Sequence, residues 1–337
     1  MLRSAVLAVV LLVVCTAGLG ATAASAGTAS PTTTAPASTG TATGAAACAA
    51  AEVGAGVLVP VASATAGIDR YDVTFVDRHH STPAIPGRAA QPCRVLPTQI
   101  RIPAGATAAL PVILTVHGMD GDPSRLAPLL DTWTSDGYIT AAPTFLVTKK
   151  QKNGKALPAE IVKQAADARF VLDGVLDLTE SHVANPLQGR IATAKVGVAG
   201  MSLGGMTVYG LISHTCCSDG RISAAVVMAG VHDDFPDGRY VHQKMPVFLI
   251  QGDADIGYHH SRDTYPQLAP PKWFVTLHGE GHSPPFEVPR GPAGVIVDAT
   301  TTAFWNCSLK AEASACREIP KIVDATNGKA TLKRDLR

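Results

Sequence analysis

The sequence has almost no surplus of charge of either sign: 28 Lys and Arg stand against 27 Asp and Glu, for a formal net charge of +1. A chain so balanced, with no long basic run, lacks the electrostatic footprint of a nucleic-acid binder. Charged residues are scarce at 16%, while apolar residues reach 46%, which excludes wholesale disorder. Long hydrophobic runs are missing as well. The N-terminal one, Ala5 to Val14, falls well short of the roughly 20 residues that span a bilayer, and no later run is long enough to hold the mature chain in a membrane. Metal-ligand spacing is absent: His214 precedes Cys216 and Cys217 without the two further ligands a zinc site needs. Neither a metal nor a cofactor is expected.

What is present divides the chain into three parts. Met1-Leu2-Arg3 supplies a positive start, Ala5 to Val14 an apolar stretch, and Ala24-Ser25-Ala26 a small-residue cleavage pattern, so residues 1–26 read as a secretory signal peptide. Val14 is bulkier than the small residue a lipoprotein cleavage site takes before its cysteine, and lipidation of Cys15 is not expected. Residues 27–67, including PTTTAPASTGTATG, contain no aromatic residue and no periodic face to bury. They read as a flexible tether, either a spacer or a wall-spanning stalk. Residues 68–337 suit one large α/β domain. Once Cys15 leaves with the signal, Cys48, Cys93, Cys216, Cys217, Cys307 and Cys316 remain, and an even number in an exported chain favours disulfides. Cys307 and Cys316 are the first expected pair because they close a short loop. Cys216 and Cys217 bond either to each other or separately elsewhere. The expected location is extracellular, with cell-wall association left open. Nothing in the sequence sets the oligomeric state.

The order of elements begins with two extended segments, Tyr71 to Asp77 and Arg94 to Ile102, rich in β-branched and aromatic residues. Buried-type apolar runs then alternate with helical patterns: strands at 111–116, 138–143, 195–199, 222–229, 247–251 and 273–277, and helices at about 126–136, 159–178, 203–214 and 297–309. Continuous apolar strands between helices signal a parallel sheet covered on both faces. The expected architecture is α/β, a sheet of about eight mostly parallel strands, with helices on both faces and no large cap domain. Lys149, Lys150, Lys152 and Lys155 mark a basic exposed loop at 148–157 rather than an anion site.

Val196 to Ala199 runs into Gly200-Met201-Ser202-Leu203-Gly204-Gly205, and a helix follows at once. This is G-x-S-x-G at a strand-to-helix turn, where a tight, strained backbone holds the serine out at the carboxyl edge of the sheet. A serine hydroxyl needs a base, and the base needs an orienting acid. Two later strands end at that edge in Gly252-Asp253-Ala254-Asp255 and in His278-Gly279-Glu280-Gly281-His282. Asp255 is the expected acid, with Asp253 the alternative, and His282 the expected base. His278, still at the strand end, is expected to be a packed histidine. The pairs His79-His80 and His259-His260 are expected in solvated loops. Oxyanion donors are expected from the Leu203 amide and from the Met119 amide that follows His117-Gly118. Met201, Trp133, Tyr258 and Phe286 are candidate lining for an apolar substrate pocket.

These stretches together resemble the α/β-hydrolase superfamily, and within it the secreted actinobacterial esterases of the chlorophyllase-like, platelet-activating-factor-acetylhydrolase-like and dienelactone-hydrolase-like kinds. The resemblance is carried by PVILTVHG at 111–118, QAADARFVLDGVL at 164–176, VGVAGMSLGG at 196–205, CCSDGRISAAVVMAG at 216–230, QGDAD at 251–255 and LHGEGHSPPF at 277–286. It implies the α/β-hydrolase fold and cofactor-free hydrolysis of a small-molecule or polymeric carboxylic ester by Ser202, His282 and Asp255. Polyester or cutin hydrolysis, or a lipid-directed lipase or acyltransferase with the same triad, is the alternative. Met201 stands where many relatives carry a histidine before the nucleophile.

Overall fold

Residues 40–85, 88–150, 156–236 and 238–337 are described by the computed structural model. The expected signal peptide, the tether up to residue 39, and Lys152 and Lys155 of the basic loop lie outside the described residues. Strands β1 (Val59–Val61), β2 (Ile68–Asp77), β3 (Arg94–Pro103), β4 (Leu110–Val116), β5 (Ile139–Pro143), β6 (Ile191–Met201), β7 (Ile222–Met228), β8 (Val247–Gly252), β9 (Lys272–Leu277) and β10 (Ala330–Asp335) form one sheet, in the order β1-β2-β3-β5-β4-β6-β7-β8-β9-β10. From β5 to β9 every neighbouring pair is parallel. The flanking pairs β1–β2, β2–β3, β3–β5 and β9–β10 are antiparallel.

Alternation within the central strands explains why they read as unbroken apolar runs. In β4, Val112, Leu114 and Val116 enter one core with Val171 and Leu172 of helix α3 (Gln164–Glu180) and Val208 and Leu211 of α4 (Leu203–Ser213). The residue between, Ile113, enters a second core with Trp133 of α2 (Ala127–Ser135) and Val297, Phe304 and Trp305 of α6 (Gly294–Ser308). Both faces of the strand are buried, so its residues are apolar apart from the buried Thr115. This two-layered covering of a mostly parallel sheet is the α/β-hydrolase fold. Among the described residues, no helix is long and apolar enough to cross a membrane.

All eight expected strands are present, and two more extend the sheet. The edge strand β10 was not legible because its sequence, ATLKRD, is polar at the exposed positions and only Ala330 is fully buried. Pairing with β9, rather than its own pattern, makes it a strand. Helix α7 (Ala313–Asp324) buries Ala315, Ile319 and Val323 along one face but carries Pro320 inside, which reads as a breaker in sequence. The tether expected over 27–67 does not extend through its second half. From Gly40 onward the chain forms α1 (Gly40–Glu52) and β1. The helix is tied to the rest of the fold by a disulfide from Cys48 to Cys93 beside β3 and by an ion pair between Glu52 and Arg78, and β1 by its pairing with β2.

The cysteines pair as Cys48–Cys93, Cys216–Cys217 and Cys307–Cys316. The expected short-loop pair is present, and the adjacent cysteines bond to each other.

Candidate active site

A strained turn of the backbone lies between β6 and α4. Ser202 has φ 58° and ψ −123°, a conformation side chains rarely adopt and one that persists only where its surroundings over-determine it. They do so here: the Ser202 amide donates to Met228 O at 2.9 Å and its carbonyl accepts from Gly205 N at 2.8 Å. The glycines on either side allow the approach. A Cβ on Gly200 would stand 2.2 Å from Gly204 O, and one on Gly204 would stand 2.3 Å from Val116 O.

The serine Oγ lies 2.8 Å from His282 Nε2, and His282 Nδ1 lies 2.7 Å from Asp255 Oδ2. Because a carboxylate only accepts, the Nδ1 proton points to Asp255 and leaves Nε2 free to accept from the serine hydroxyl. Asp255 is buried at 5% exposure and takes two further donors, Gln251 Nε2 at 2.7 Å on Oδ2 and Gly257 N–H at 2.9 Å on Oδ1. Burial pushes this carboxyl up, but the hydrogen bond and charge of His282, with the Gly257 and Gln251 donors, overcome it and hold the group below its ordinary range. The structure thus brings together the serine, the histidine and the preferred acid expected from sequence. It directs the alternative acid, Asp253, to His278 instead. His278 is exposed and hydrogen-bonded to Asp253, not the packed histidine expected.

The turn after β4 comes up against the serine. A Cβ on Gly118 would lie 2.9 Å from Ser202 Cβ and 3.4 Å from Leu203 N, so this turn and the start of α4 face each other across the hydroxyl. Among the described residues neither the Met119 nor the Leu203 amide donates to a backbone acceptor. Sequence reasoning missed what holds this turn. The buried His117 donates from Nδ1 to Gly118 O at 2.8 Å and accepts the Phe145 amide at Nε2 at 2.9 Å. Gln164 donates to His117 O at 3.0 Å and accepts from Thr148 Oγ1 at 2.8 Å. The partners lie in separate elements, so no local pattern could have signalled them.

Burial drives the His117 pKa from 6.5 down to about 4, with only partial compensation from Gly118 O. A folded value below the unfolded one means the unfolded chain takes the proton first. This contribution to stability is complete above about pH 6.5 and is lost as pH falls towards 4, by about 3 kcal/mol in all. Asp167, raised by burial to about 6, acts in the opposite sense, so the variant His117→Gln is needed to isolate the effect. Urea unfolding at pH 7 and pH 4.5 should show a smaller loss for the variant than for the parent; equal losses would assign the pH dependence elsewhere.

The expected pocket is not assembled from the four residues named for it. Trp133, Phe286 and Met201 are all buried in the second core. Trp133 donates to Thr301 Oγ1 at 3.0 Å and meets Trp305 edge-on. Tyr258 of α5 (Tyr258–Thr264) turns its hydroxyl to Thr276 Oγ1 at 2.7 Å and its ring toward Phe274. Large apolar side chains beside a sheet edge are more cheaply buried than exposed, and here the helices cover them. His80 is exposed as expected and pairs with Asp77. His259 is exposed, while His260 is half-buried with its ring 4.2 Å from that of His259. Among the described residues no group of three or more His, Cys, Asp or Glu side chains could hold a metal ion.

The model of the dienelactone hydrolase family matches residues 96–266, just over half of the chain. The chain belongs to the dienelactone hydrolase family. The matched region runs from β3 to the end of α5 and includes Ser202 and Asp255. It stops before His282, whose assignment to the site rests on the two hydrogen bonds above. A search of curated proteins found no match. Membership makes this chain a hydrolase, for which a small-molecule substrate is the natural class.

Proposed function

We propose that this hydrolase is an exported serine esterase that cleaves carboxylic esters through an acyl-enzyme. The observation that carries this reading is the unbroken hydrogen-bonded chain from Ser202 Oγ through His282 to Asp255, set at a strained turn. In the first half-reaction Ser202 Oγ attacks the ester carbonyl while His282 Nε2 takes its proton. The imidazolium, stabilised by Asp255, then returns that proton to the departing alkoxide, and an acyl-serine remains. Water, deprotonated by His282, attacks the acyl carbon in the second half-reaction; the carboxylic acid leaves and the serine regains its proton. The Met119 and Leu203 amides are the donors for the oxyanion in both tetrahedral intermediates, each worth about 3 kcal/mol in sites of this kind. Three disulfides and a signal-like start support export to an oxidising compartment.

A panel of p-nitrophenyl esters, phospholipids and a polyester film tests the reaction class. Turnover of at least one ester, with stoichiometric phosphonate labelling at Ser202, is the expected result. Absence of both overturns the esterase reading, and transfer to an added alcohol in preference to water would redirect it to acyl transfer. Activity should fall on acidification as the histidine base takes up a proton; a flat profile from pH 5 to 8 would exclude a histidine base.

A further inference from the structure

The loops that carry Asp255 and His282 are joined by more than the contact between those two residues. The parallel ladder of β8 and β9 ends in register with Gly252 opposite Leu277. Beyond it, the Asp253 amide donates to Leu277 O at 3.0 Å, and the next amide, Ala254, donates to Glu280 O at 3.0 Å. One step along the acid loop therefore moves the acceptor from Leu277 to Glu280 on the histidine loop. The slack is taken up at His278 and Gly279, where Gly279 has φ 74°. Such a bulge leaves an amide without its ladder partner, and the Asp253 side chain supplies one. Its Oδ1 accepts the Gly279 amide at 2.7 Å, and its Oδ2 accepts from His278 Nδ1 at 2.7 Å. The His278 amide in turn donates to Lys329 O at 2.8 Å, just before β10.

We propose that Asp253 and His278 are positioning residues, a clamp that sets the register of the acid loop against the histidine loop so that His282 Nδ1–H meets Asp255. The proposal rests on the esterase reading of the site. An exposed side-chain pair by itself adds little to stability. Here, however, both carboxylate oxygens are committed to consecutive residues of the loop that leads into His282. Displacements too small to unfold a protein are still felt by a hydrogen-bonded catalytic chain. The His278 hydrogen bond, followed by the Gly279 amide, holds the Asp253 carboxyl below its ordinary range. Titratable groups near these loops include Glu280, on the histidine loop itself, Lys329, whose carbonyl accepts the His278 amide, and His260 of α5, which senses Asp255 and His259. The hydrogen bonds of the His282 ring go to Asp255 and Ser202.

The test compares Asp253→Ala, His278→Ala and the conservative His278→Asn in the full chain. For both alanine variants, kcat on p-nitrophenyl acetate per phosphonate-titrated site should fall roughly tenfold with KM unchanged. The acidic limb of the pH–rate profile should move to lower pH, because an imidazolium less firmly paired with Asp255 is less stabilised. An asparagine amide can still donate to Asp253, so His278→Asn should recover most of the rate. Independently of turnover, the downfield proton resonance of His282 Nδ1–H should broaden in the alanine variants and persist in His278→Asn. Parental kcat, limb and resonance in both alanine variants would overturn the clamp, as would a loss confined to the number of titratable sites. A parent that turned over no ester would count against the esterase reading alone, since the resonance still tests the clamp.

Discussion

Replacing Ser202 with alanine is expected to lower kcat/KM for a short-chain p-nitrophenyl ester by about 10⁴-fold or more, with little change in the thermal unfolding midpoint. The expected size follows from what the substitution removes. Without Oγ there is no acyl-enzyme, and the residual rate comes only from substrate binding and oxyanion donors acting on attack by water. The expected stability follows from how the turn is held. The backbone at Ser202 is fixed by its amide on Met228 and its carbonyl on Gly205 and Val231, and none of these bonds uses the hydroxyl. Alanine keeps the Cβ already accommodated at this positive φ. Turnover at the parental rate would remove Ser202 from the mechanism, while a large drop in the unfolding midpoint would show that the hydroxyl has a structural role.

The second large effect concerns the acid. Asp255→Asn should reduce kcat by about 10³- to 10⁴-fold at nearly unchanged KM. The carboxylate accepts from three donors, His282 Nδ1, Gln251 Nε2 and Gly257 N. An amide in its place must present its NH₂ to at least one of them. With the amide nitrogen toward His282, the ring is driven to the tautomer protonated at Nε2, which cannot accept the serine proton. With the amide oxygen toward His282, the Gly257 amide faces another donor and the loop is destabilised. Steady-state kinetics and phosphonate labelling of the two asparagine variants discriminate between the carboxylates. Asp255→Asn should be crippled, and Asp253→Asn should retain most activity because its amide oxygen still accepts the Gly279 N–H. The reverse order would transfer the acid role to Asp253.

Much of the site was legible because its parts are written in short local strings. The turn around Ser202 is marked by glycines whose hydrogens are the only substituents that fit, so Gly200 and Gly204 disclose the geometry directly. Strands β4 and β6 to β9 were visible as largely apolar runs because burial on both faces favours apolar residues at most positions. The acid was narrowed to Asp253 and Asp255 by its place after a buried strand. Only the three-dimensional arrangement separated them, since Asp253 turns to His278 while Asp255 turns inward to His282.

What stayed hidden depends on partners distant in sequence. The polar edge strand β10 takes its conformation from β9, and helix α1 is held by Cys93 and Arg78. His117 gives no local sign that Phe145 and Gln164 will complete its hydrogen bonds. The apolar residues near the catalytic edge were misassigned for a related reason. A large aromatic such as Trp133, in a helix near the catalytic edge, or Phe286, in a loop there, has the same appearance in sequence whether the core or a substrate covers it, and here both lie in the core that includes Val297, Phe304 and Trp305 of α6.

The sequence by itself determined the balanced charge, a sum over the whole chain, together with the parallel-sheet grammar and the motifs that carry a serine, a histidine and acids, because each strand and motif is a pattern of residues within a few positions of one another. The tertiary structure alone decided which carboxylate meets the histidine, which aromatic side chains are core, and how the two catalytic loops are kept in register. Those outcomes are set by distances between segments far apart in the chain, where burial and hydrogen-bond geometry select among partners that local sequence leaves equivalent.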